Sequence, residues 1–343
     1  MTNLYGLTET ELEKFVLDKG YKKFAGRQLF QWMYQKGRYD FSDMTNLSKG
    51  FRSELENNCH VSLPVVEKVQ RSADGTIKYL FRLGDGDCVE AVKIPEYDRL
   101  TLCISSQVGC PLGCQFCRTS GMGFIRDLEV GEILAQVAVI RAGLSSEERI
   151  TNLVFMGMGE PFLNYENIKK AVEILRSEKG FGIGYRKITI STSGHVDGIY
   201  RLSDDLLKIR LAISLNCADQ DVRRKLMPIA NKYPLPELKR AAQYYCDKFG
   251  MRVTFEYLML SGITDTLEMA QKLAEFIKGV PCKINLINYN PAEDMPPDLK
   301  PSTNEDLLAF RDYLYPRAPA VTVRNSRGAD IKAACGQLAT ERG

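Results

Sequence analysis

From residue 99 onward, short apolar segments typical of β-strands alternate with segments that carry apolar residues at helical spacing. This alternation constrains the fold more than any other feature, because strands joined by helices pair into a parallel sheet. The predicted strands are Leu100–Ile104, Thr151–Met156, Lys187–Ser191, Ile209–Leu215, Arg252–Leu258, Lys283–Ile287 and Ala320–Val323. The predicted helices between them are 129–142, 165–178, 196–207, 236–248, 266–278 and 304–314. Six such units predict an α/β fold with a partial (β/α)6 barrel, whose active site lies at the carboxyl ends of the strands.

Two other zones precede the barrel. Residues 1–57 carry apolar residues at helical spacing, and Thr8 is a predicted N-cap. The predicted helices there are Glu9–Leu17, Gly26–Tyr34 and Met44–Leu55. Residues 58–98 contain two predicted strands, Ile77–Leu83 and Cys88–Ile94, joined by a hairpin turn at Gly84–Asp87. We therefore predict three domains: a helical accessory domain (1–57), a small β-hairpin extension (58–98) and the barrel with a C-terminal segment (99–343).

Size and composition are those of an ordinary soluble enzyme. The chain has 343 residues, of which 26% are charged, and a formal net charge of +3. That charge is too small to indicate nucleic-acid binding, so any RNA contact must come from local patches. We expect no membrane segment and no signal peptide. Ten cysteines, three close together and the rest scattered, fit a reducing compartment, and we expect a cytoplasmic location.

Three cysteines follow the first barrel strand, in the run Cys110-Pro-Leu-Gly-Cys114-Gln-Phe-Cys117. One short loop can direct three thiolates to a common centre, and thiolates are the usual ligands of iron–sulfur clusters. A four-iron cubane held by three cysteines keeps one iron open, which is typical of a catalytic site. The alternatives are a zinc knuckle and a structural cluster. Zinc usually takes four ligands from paired Cys-x-x-Cys motifs, and the sequence has no second pair or suitable histidine nearby.

Polar residues stand at the ends of the other predicted strands. They are expected to converge on a polar ligand at the carboxyl edge of the sheet. Glu160, in the run Met156-Gly-Met-Gly-Glu-Pro161, can accept a hydrogen bond from an ammonium group. The other candidates are Ser191 in Ile190–Gly194, Ser214 and Asn216 after the fourth strand, and Asn290 after the sixth.

The three-cysteine motif, with Phe116 before the third cysteine, resembles the signature of radical S-adenosylmethionine (SAM) enzymes. Nearly the whole chain, Met1–Thr340, resembles the RlmN/Cfr family of RNA adenine methyltransferases in that superfamily, and its RlmN branch in particular. The similar stretches are Ala25–Trp32, Cys103–Cys110, Phe155–Pro161, Arg186–Gly194, Leu211–Leu215, Leu226–Ile229, Pro281–Leu286 and Ala333–Leu338.

The resemblance implies methylation of carbon 2 of adenosine in 23S rRNA (position 2503) and in tRNA (position 37). It implies a 4Fe-4S cluster bound by Cys110, Cys114 and Cys117, two SAM molecules per turnover and an electron donor such as flavodoxin. We expect a monomer. The SAM contacts implied by the resemblance are Gly159, Glu160, Ser191, Ser214, Leu215 and Asn290. Asn216 stands where the family has histidine, so a hydrogen-bonding role is possible there and proton transfer near neutral pH is not.

The resemblance also implies the catalytic residues. As a thiolate, Cys335 takes a methyl group from one SAM, and the adenosyl radical from a second SAM removes hydrogen from that S-methyl group. The carbon radical then adds to the adenine, which is expected to be flipped out of its stack. Cys103 helps to resolve the protein–RNA adduct and forms a transient disulfide with Cys335. Glu90 matches the family's proton acceptor.

Two other functions are compatible with the sequence. A Cfr-type enzyme uses the same machinery on carbon 8 of the same rRNA adenosine. An RNA-binding or ribosome-assembly protein could carry a structural cluster, although the retained SAM-site residues argue against it.

Two basic features are candidates for phosphate contacts: Arg324 and Arg327 before Cys335, and a cluster in the N-terminal zone formed by Lys19, Lys22, Lys23 and Arg27. A solvated helix face explains that cluster equally well.

Overall fold

The computed structural model describes residues 1–292 and 294–340. The helices are α1 (Glu9–Asp18), α2 (Lys23–Tyr34), α3 (Lys49–Asn58), α4 (Arg118–Gly121), α5 (Val130–Ala142), α6 (Tyr165–Arg176), α7 (Val196–Asp204), α8 (Gln220–Leu226), α9 (Leu235–Phe249), α10 (Leu267–Ile277) and α11 (Asn304–Leu314). The strands are β1 (Thr2–Asn3), β2 (Cys59–His60), β3 (Val65–Arg71), β4 (Ile77–Arg82), β5 (Cys88–Glu96), β6 (Arg99–Cys103), β7 (Gln107–Gly109), β8 (Phe124–Asp127), β9 (Asn152–Phe155), β10 (Ile188–Thr192), β11 (Arg210–Ser214), β12 (Val253–Met259), β13 (Cys282–Asn288) and β14 (Val321–Arg324).

Seven parallel strands form the barrel, in the order β6, β9, β10, β11, β12, β13 and β14. Each predicted barrel strand is present within a few residues of its predicted ends, as is each predicted helix of the barrel. The outward-facing strand residues, such as Ile188, Ile190 and Phe255, are buried beneath the surrounding helices. The sheet has two free ends and does not close, which confirms the predicted partial barrel.

The predicted hairpin joins the same sheet. β3, β4 and β5 are antiparallel, and β5 pairs antiparallel with β6, where Val92 lies opposite Cys103. The turn forms as predicted, with Leu83 N–H donating to the Asp87 carbonyl (2.8 Å). The boundaries of the three predicted domains stay predictions. Residues 293 and 341–343 of the third domain lie outside the described residues.

The N-terminal helices follow the predicted capping. Thr8 accepts a hydrogen bond from Glu11 N–H (3.2 Å), and Glu11 accepts one from Thr8 N–H (2.9 Å), which is a capping box for α1. The third helix differs from the prediction, because it begins at Lys49 after the Ser48 cap and not at Met44. No helix in the described part of the chain is long and apolar enough to cross a membrane.

Candidate active site

The three cysteines of the motif line one cavity at the carboxyl ends of the barrel strands. They lie on the loop between β7 and α4. Cys110 N–H donates to the Gly123 carbonyl (2.9 Å), and Cys117 N–H donates to the Cys114 carbonyl (3.2 Å). These backbone bonds fix the loop in a conformation that turns all three thiols toward the cavity.

The donor set fits an iron–sulfur cubane. Burial raises the pKa of Cys110 to about 12 and that of Cys114 well above its usual value, so metal coordination must deprotonate both thiols. Among residues 1–292 and 294–340, no three His, Cys, Asp or Glu side chains converge on a single metal ion. The thiols are therefore not arranged around a single ion such as zinc, whereas in a cubane each cysteine binds a different iron.

Arg223, on α8, lies behind the cluster loop and was not predicted from the sequence. It is fully buried, and its guanidinium donates to the carbonyls of Leu215 (3.0 Å) and Ser193 (2.8 Å). Burial lowers its pKa to about 10, a shift opposed by ionised Cys114, so it remains a cation near neutral pH. Arg223 therefore ties two strand ends together and places a positive charge near the cluster loop.

Glu160 is buried and held by backbone donors. Its carboxylate accepts from Ser193 N–H (2.7 Å) and Phe162 N–H (3.2 Å), and burial raises its pKa against these hydrogen bonds. The preceding Gly159 has φ +100°, and a Cβ there would lie 2.6 Å from the Gln107 side chain. Glycine is thus required for β7 to pack against this turn. The carboxylate lines the cavity, where it can accept from an ammonium group.

Five of the seven predicted SAM-binding residues line this cavity: Gly159, Glu160, Ser191, Ser214 and Asn216. The other two do not. Leu215 is fully buried and offers its carbonyl to Arg223, and Asn290 donates to the Cys335 carbonyl (3.3 Å).

Asn216 adopts a left-handed backbone conformation with φ +57°. Its side chain donates to the Met227 sulfur (3.4 Å). Asparagine and histidine are both enriched in left-handed conformations, so the exchange of one for the other keeps the backbone of this strand end.

Cys335 is exposed and lines the same cavity. It lies in residues 328–339, here named the Cys335 segment. On one side, Arg118 N–H donates to the Gly336 carbonyl (2.8 Å) and Thr119 Oγ1 to the Leu338 carbonyl (2.6 Å). On the other side, Gly328 N–H donates to Asp74 (3.0 Å). The cluster loop and the hairpin together position Cys335.

Cys103 lies at the end of β6 and is buried. Burial raises the pKa of the Cys103 thiol to about 12. An ionised Cys335 contributes to this increase, and the positive charge of Arg324 acts against it. Cys103 and Cys335 are therefore near neighbours, and Cys103 is not among the residues that line the cavity.

Arg324 lines the cavity and lies close to both thiols, which favours an inward role over the predicted contact with an RNA phosphate.

Burial and pKa together predict which thiol reacts first. In holoenzyme treated with iodoacetamide at pH 8, Cys335 should be alkylated, because it is exposed. Cys103 should stay unmodified, since a thiol with a pKa of about 12 is ionised to only ~1 part in 10⁴ at that pH. Peptide mass mapping over time measures both sites. Equal labelling of the two cysteines in the folded protein would contradict this arrangement.

Glu90, the predicted proton acceptor, is buried on β5 outside the cavity. Its carboxylate pairs with the Lys78 ammonium (2.9 Å) and accepts from Ala339 N–H (3.0 Å) at the end of the Cys335 segment. Burial raises the pKa of Glu90, and Lys78 opposes the shift. Lys78 also donates to the Lys332 carbonyl (3.1 Å). The pair thus holds the Cys335 segment at two points.

The N-terminal basic cluster is largely neutralised by acidic neighbours. Lys19 pairs with Glu54 (3.1 Å), and both Lys23 (3.1 Å) and Arg27 (2.6 Å) pair with Glu13. This pairing favours the solvated helix face over a phosphate-binding patch.

Comparisons with known proteins agree with this geometry. Residues 2–61 match the family described as ribosomal RNA large subunit methyltransferase N-terminal domain. Residues 104–277 match the radical SAM superfamily, whose members use a 4Fe-4S cluster and SAM, and this match confirms the two predicted cofactors.

Full-length relatives extend the match beyond these domains. The chain is 44% identical to a probable dual-specificity RNA methyltransferase RlmN from Christiangramia forsetii, over 99% of this chain and 96% of the relative. It is 42% identical to dual-specificity RNA methyltransferase RlmN from Geotalea uraniireducens, over 98% and 96%. The crystal structure of a radical SAM methyltransferase from Sphaerobacter thermophilus superposes with a TM-score of 0.93 at 40% identity, covering 98% of this chain and 99% of that one. Similarity at this level along the whole length shows that the chain belongs to the RlmN family of radical SAM RNA methyltransferases.

Proposed function

We propose that the protein methylates carbon 2 of adenosine in 23S rRNA (position 2503) and in tRNA (position 37). One observation carries the proposal: exposed Cys335 lines the same cavity as the three-cysteine loop and Glu160. A methyl-accepting thiol and a SAM site therefore share one space. The relatives named as dual-specificity RNA methyltransferases support the choice of substrates.

In this proposal, Cys110, Cys114 and Cys117 hold the cluster, and Glu160 accepts hydrogen bonds from the SAM amino group. Bound together, the cluster and SAM supply the methyl group and the one-electron chemistry that activates it. Ser191, Ser214 and Asn216 offer polar contacts from neighbouring strand ends. Cys335 carries the methyl group as an S-methyl thioether, and Cys103, its near neighbour, forms a disulfide with Cys335 after transfer. Glu90 is the proposed proton acceptor.

The same proposal covers the setting of the enzyme. Residues 1–57 form an RNA-binding accessory domain, 58–98 the hairpin extension and 99–343 the catalytic barrel. The match of residues 2–61 to an rRNA methyltransferase N-terminal domain supports the first of these roles. We also infer a cytoplasmic monomer that receives electrons from a donor such as flavodoxin.

Nucleoside analysis tests the proposal. Holoenzyme with SAM and a reductant is incubated with an rRNA fragment and a tRNA, and the digested RNAs are analysed by mass spectrometry. The expected product is 2-methyladenosine in both RNAs. Formation of 8-methyladenosine would instead establish the Cfr-type activity. If reduced holoenzyme produces neither nucleoside and releases no 5′-deoxyadenosine, a structural cluster in an RNA-binding protein is the better explanation.

A further inference from the structure

The barrel contains a second cavity at the amino ends of its strands, opposite the active site. We name it the lumen cavity; its volume is about 520 Å³. Barrel interiors are usually filled by branched apolar side chains. Here many of the lining positions are polar instead, beside apolar residues such as Val154 and Met156. Thr101, Asn152, Thr189, Thr254 and Asn285 are among the residues that line it.

Five cations surround this space: Arg186, Arg210, Arg252, Lys283 and Arg324. In the described part of the chain, none of them forms an ion pair with a carboxylate within 4.0 Å. Elsewhere in the molecule, exposed cations commonly pair with acidic neighbours, as Lys19 and Arg27 do. The lumen cavity therefore concentrates positive charge.

The charges are close enough to affect one another. Burial lowers the pKa of Lys283, and repulsion from Arg252, Arg210 and Arg324 lowers it further, against the opposing attraction of Glu256. Crowded like charges raise the free energy of the empty site. A bound anion would remove that cost and gain charge-assisted hydrogen bonds.

Glu256 provides a second, independent observation. Among the described residues it is the one carboxylate that lines the lumen cavity, and it is only 5% exposed. Its Oε1 accepts from Asn285 (3.0 Å), while its Oε2 is buried and has no hydrogen-bond partner in the part of the chain that the structure describes. A buried polar atom without a partner needs an explanation in a native structure. Burial raises the pKa of Glu256, and the Arg324 charge opposes that shift.

We propose that the lumen cavity binds a compact, multiply charged phosphate compound, of the class of inorganic tripolyphosphate or a nucleoside triphosphate. The five cations face one recessed volume, which suits several phosphates joined together. An RNA backbone spreads its charges along an extended chain and is better matched by a basic stripe on an open surface. Arginine predominates at the site, and its planar fork binds phosphate oxygens in pairs.

Ligand binding there would also affect the active site. Arg324, Glu256 and Met156 line both cavities, and Arg324 lies near Cys335. A phosphate in the lumen cavity would compete with Cys335 and Cys103 for the Arg324 charge. The binding itself does not depend on the proposed methyltransferase activity, so the two can fail separately.

Calorimetric titration tests the site. Holoenzyme is titrated anaerobically with inorganic tripolyphosphate, without magnesium and at constant ionic strength.

A double variant, Arg210→Gln with Lys283→Gln, removes two lumen cations outside the catalytic machinery. The matched control, Arg240→Gln with Lys248→Gln, removes the same charge from exposed positions of α9. The lumen variant should lose at least about 10-fold in affinity, since it removes two donors of charge-assisted hydrogen bonds. The control should stay within about 2-fold.

Other outcomes overturn the proposal. Equal weakening in both double variants would mean diffuse charge attraction, and absence of binding to the unaltered protein would remove the site altogether. A thermal shift on adding tripolyphosphate, present in the control and absent in the lumen variant, provides a second measurement that does not require activity. A ten-nucleotide single-stranded RNA is titrated in parallel. If RNA binds more tightly than tripolyphosphate with the same sensitivity to the variants, the compact ligand is wrong.

Discussion

Replacement of Cys335 by alanine is expected to abolish RNA methylation and leave the iron–sulfur cluster in place. Its thiol is the proposed methyl carrier, and methyl transfer has no substitute nucleophile when that thiol is absent. The loss of 2-methyladenosine should be at least about 10³-fold. Cluster content should not change, because the Cys335 segment is bonded through its backbone carbonyls to the start of α4, directly after the cysteine loop. Mass spectrometry of nucleosides and iron and sulfide analysis measure the two quantities.

Two companion variants sharpen this test. Cys88→Ala is the matched control, because Cys88 lies on β5 near Glu67 and does not line the cavity; it should keep full activity. Cys103→Ala should begin turnover and then stall, with a covalent protein–RNA adduct that gel electrophoresis detects. Full turnover by Cys335→Ala would contradict the two-cysteine mechanism. Loss of its cluster would instead show that the side chain has a structural role.

The barrel could be predicted from the sequence because its elements depend mainly on local patterns. The barrel strands are short and rich in β-branched residues, as in Ile188–Thr192, and their helices begin at clear caps such as Thr266 and Thr303. In parallel sheets the carboxyl ends of all strands meet at one edge. The convergence of Glu160, Ser191 and Ser214 on the cysteine loop therefore followed from their positions at strand ends.

Elements without such local patterns were missed. β3 pairs with β4, but most of its residues are exposed, so Val65–Arg71 has no clear buried face in the sequence. Arg223 resembles a surface residue of a short polar helix, and only the packing of α8 against two strand ends buries it. The contacts of the Cys335 segment with the hairpin join residues about 250 positions apart, as between Ala339 and Glu90. Single-sequence periodicity carries no information about such pairs.

The second large effect is expected at the Lys78–Glu90 ion pair. Lys78→Met should lower the free energy of unfolding by about 3–5 kcal/mol, because it leaves the Glu90 carboxylate buried without its cation. The Lys332 carbonyl also loses its donor, so the Cys335 segment should loosen. Urea denaturation of the holoenzyme measures the change. Arg82→Met is the matched control, since it removes the exposed Arg82–Glu67 pair from the same hairpin and should cost less than about 1 kcal/mol.

The double variant Lys78→Met with Glu90→Leu tests whether the unpaired carboxylate causes the lost stability. Replacing both charges with apolar groups removes the buried, unpaired carboxylate, so most of the lost stability should return. Glu90→Gln alone separates the two roles of Glu90, because its amide oxygen can still accept from Ala339 N–H but cannot take up a proton. If Glu90 acts as a proton acceptor, Glu90→Gln should form no 2-methyladenosine, and if Glu90 only positions the Cys335 segment, Glu90→Gln should still form it. Because the Glu90 carboxylate lies outside the cavity and is already bonded to Lys78 and Ala339, a proton acceptor role requires that one of those contacts opens during turnover. A double variant that remains as unstable as Lys78→Met would contradict the assignment of the ion pair as the source of the lost stability.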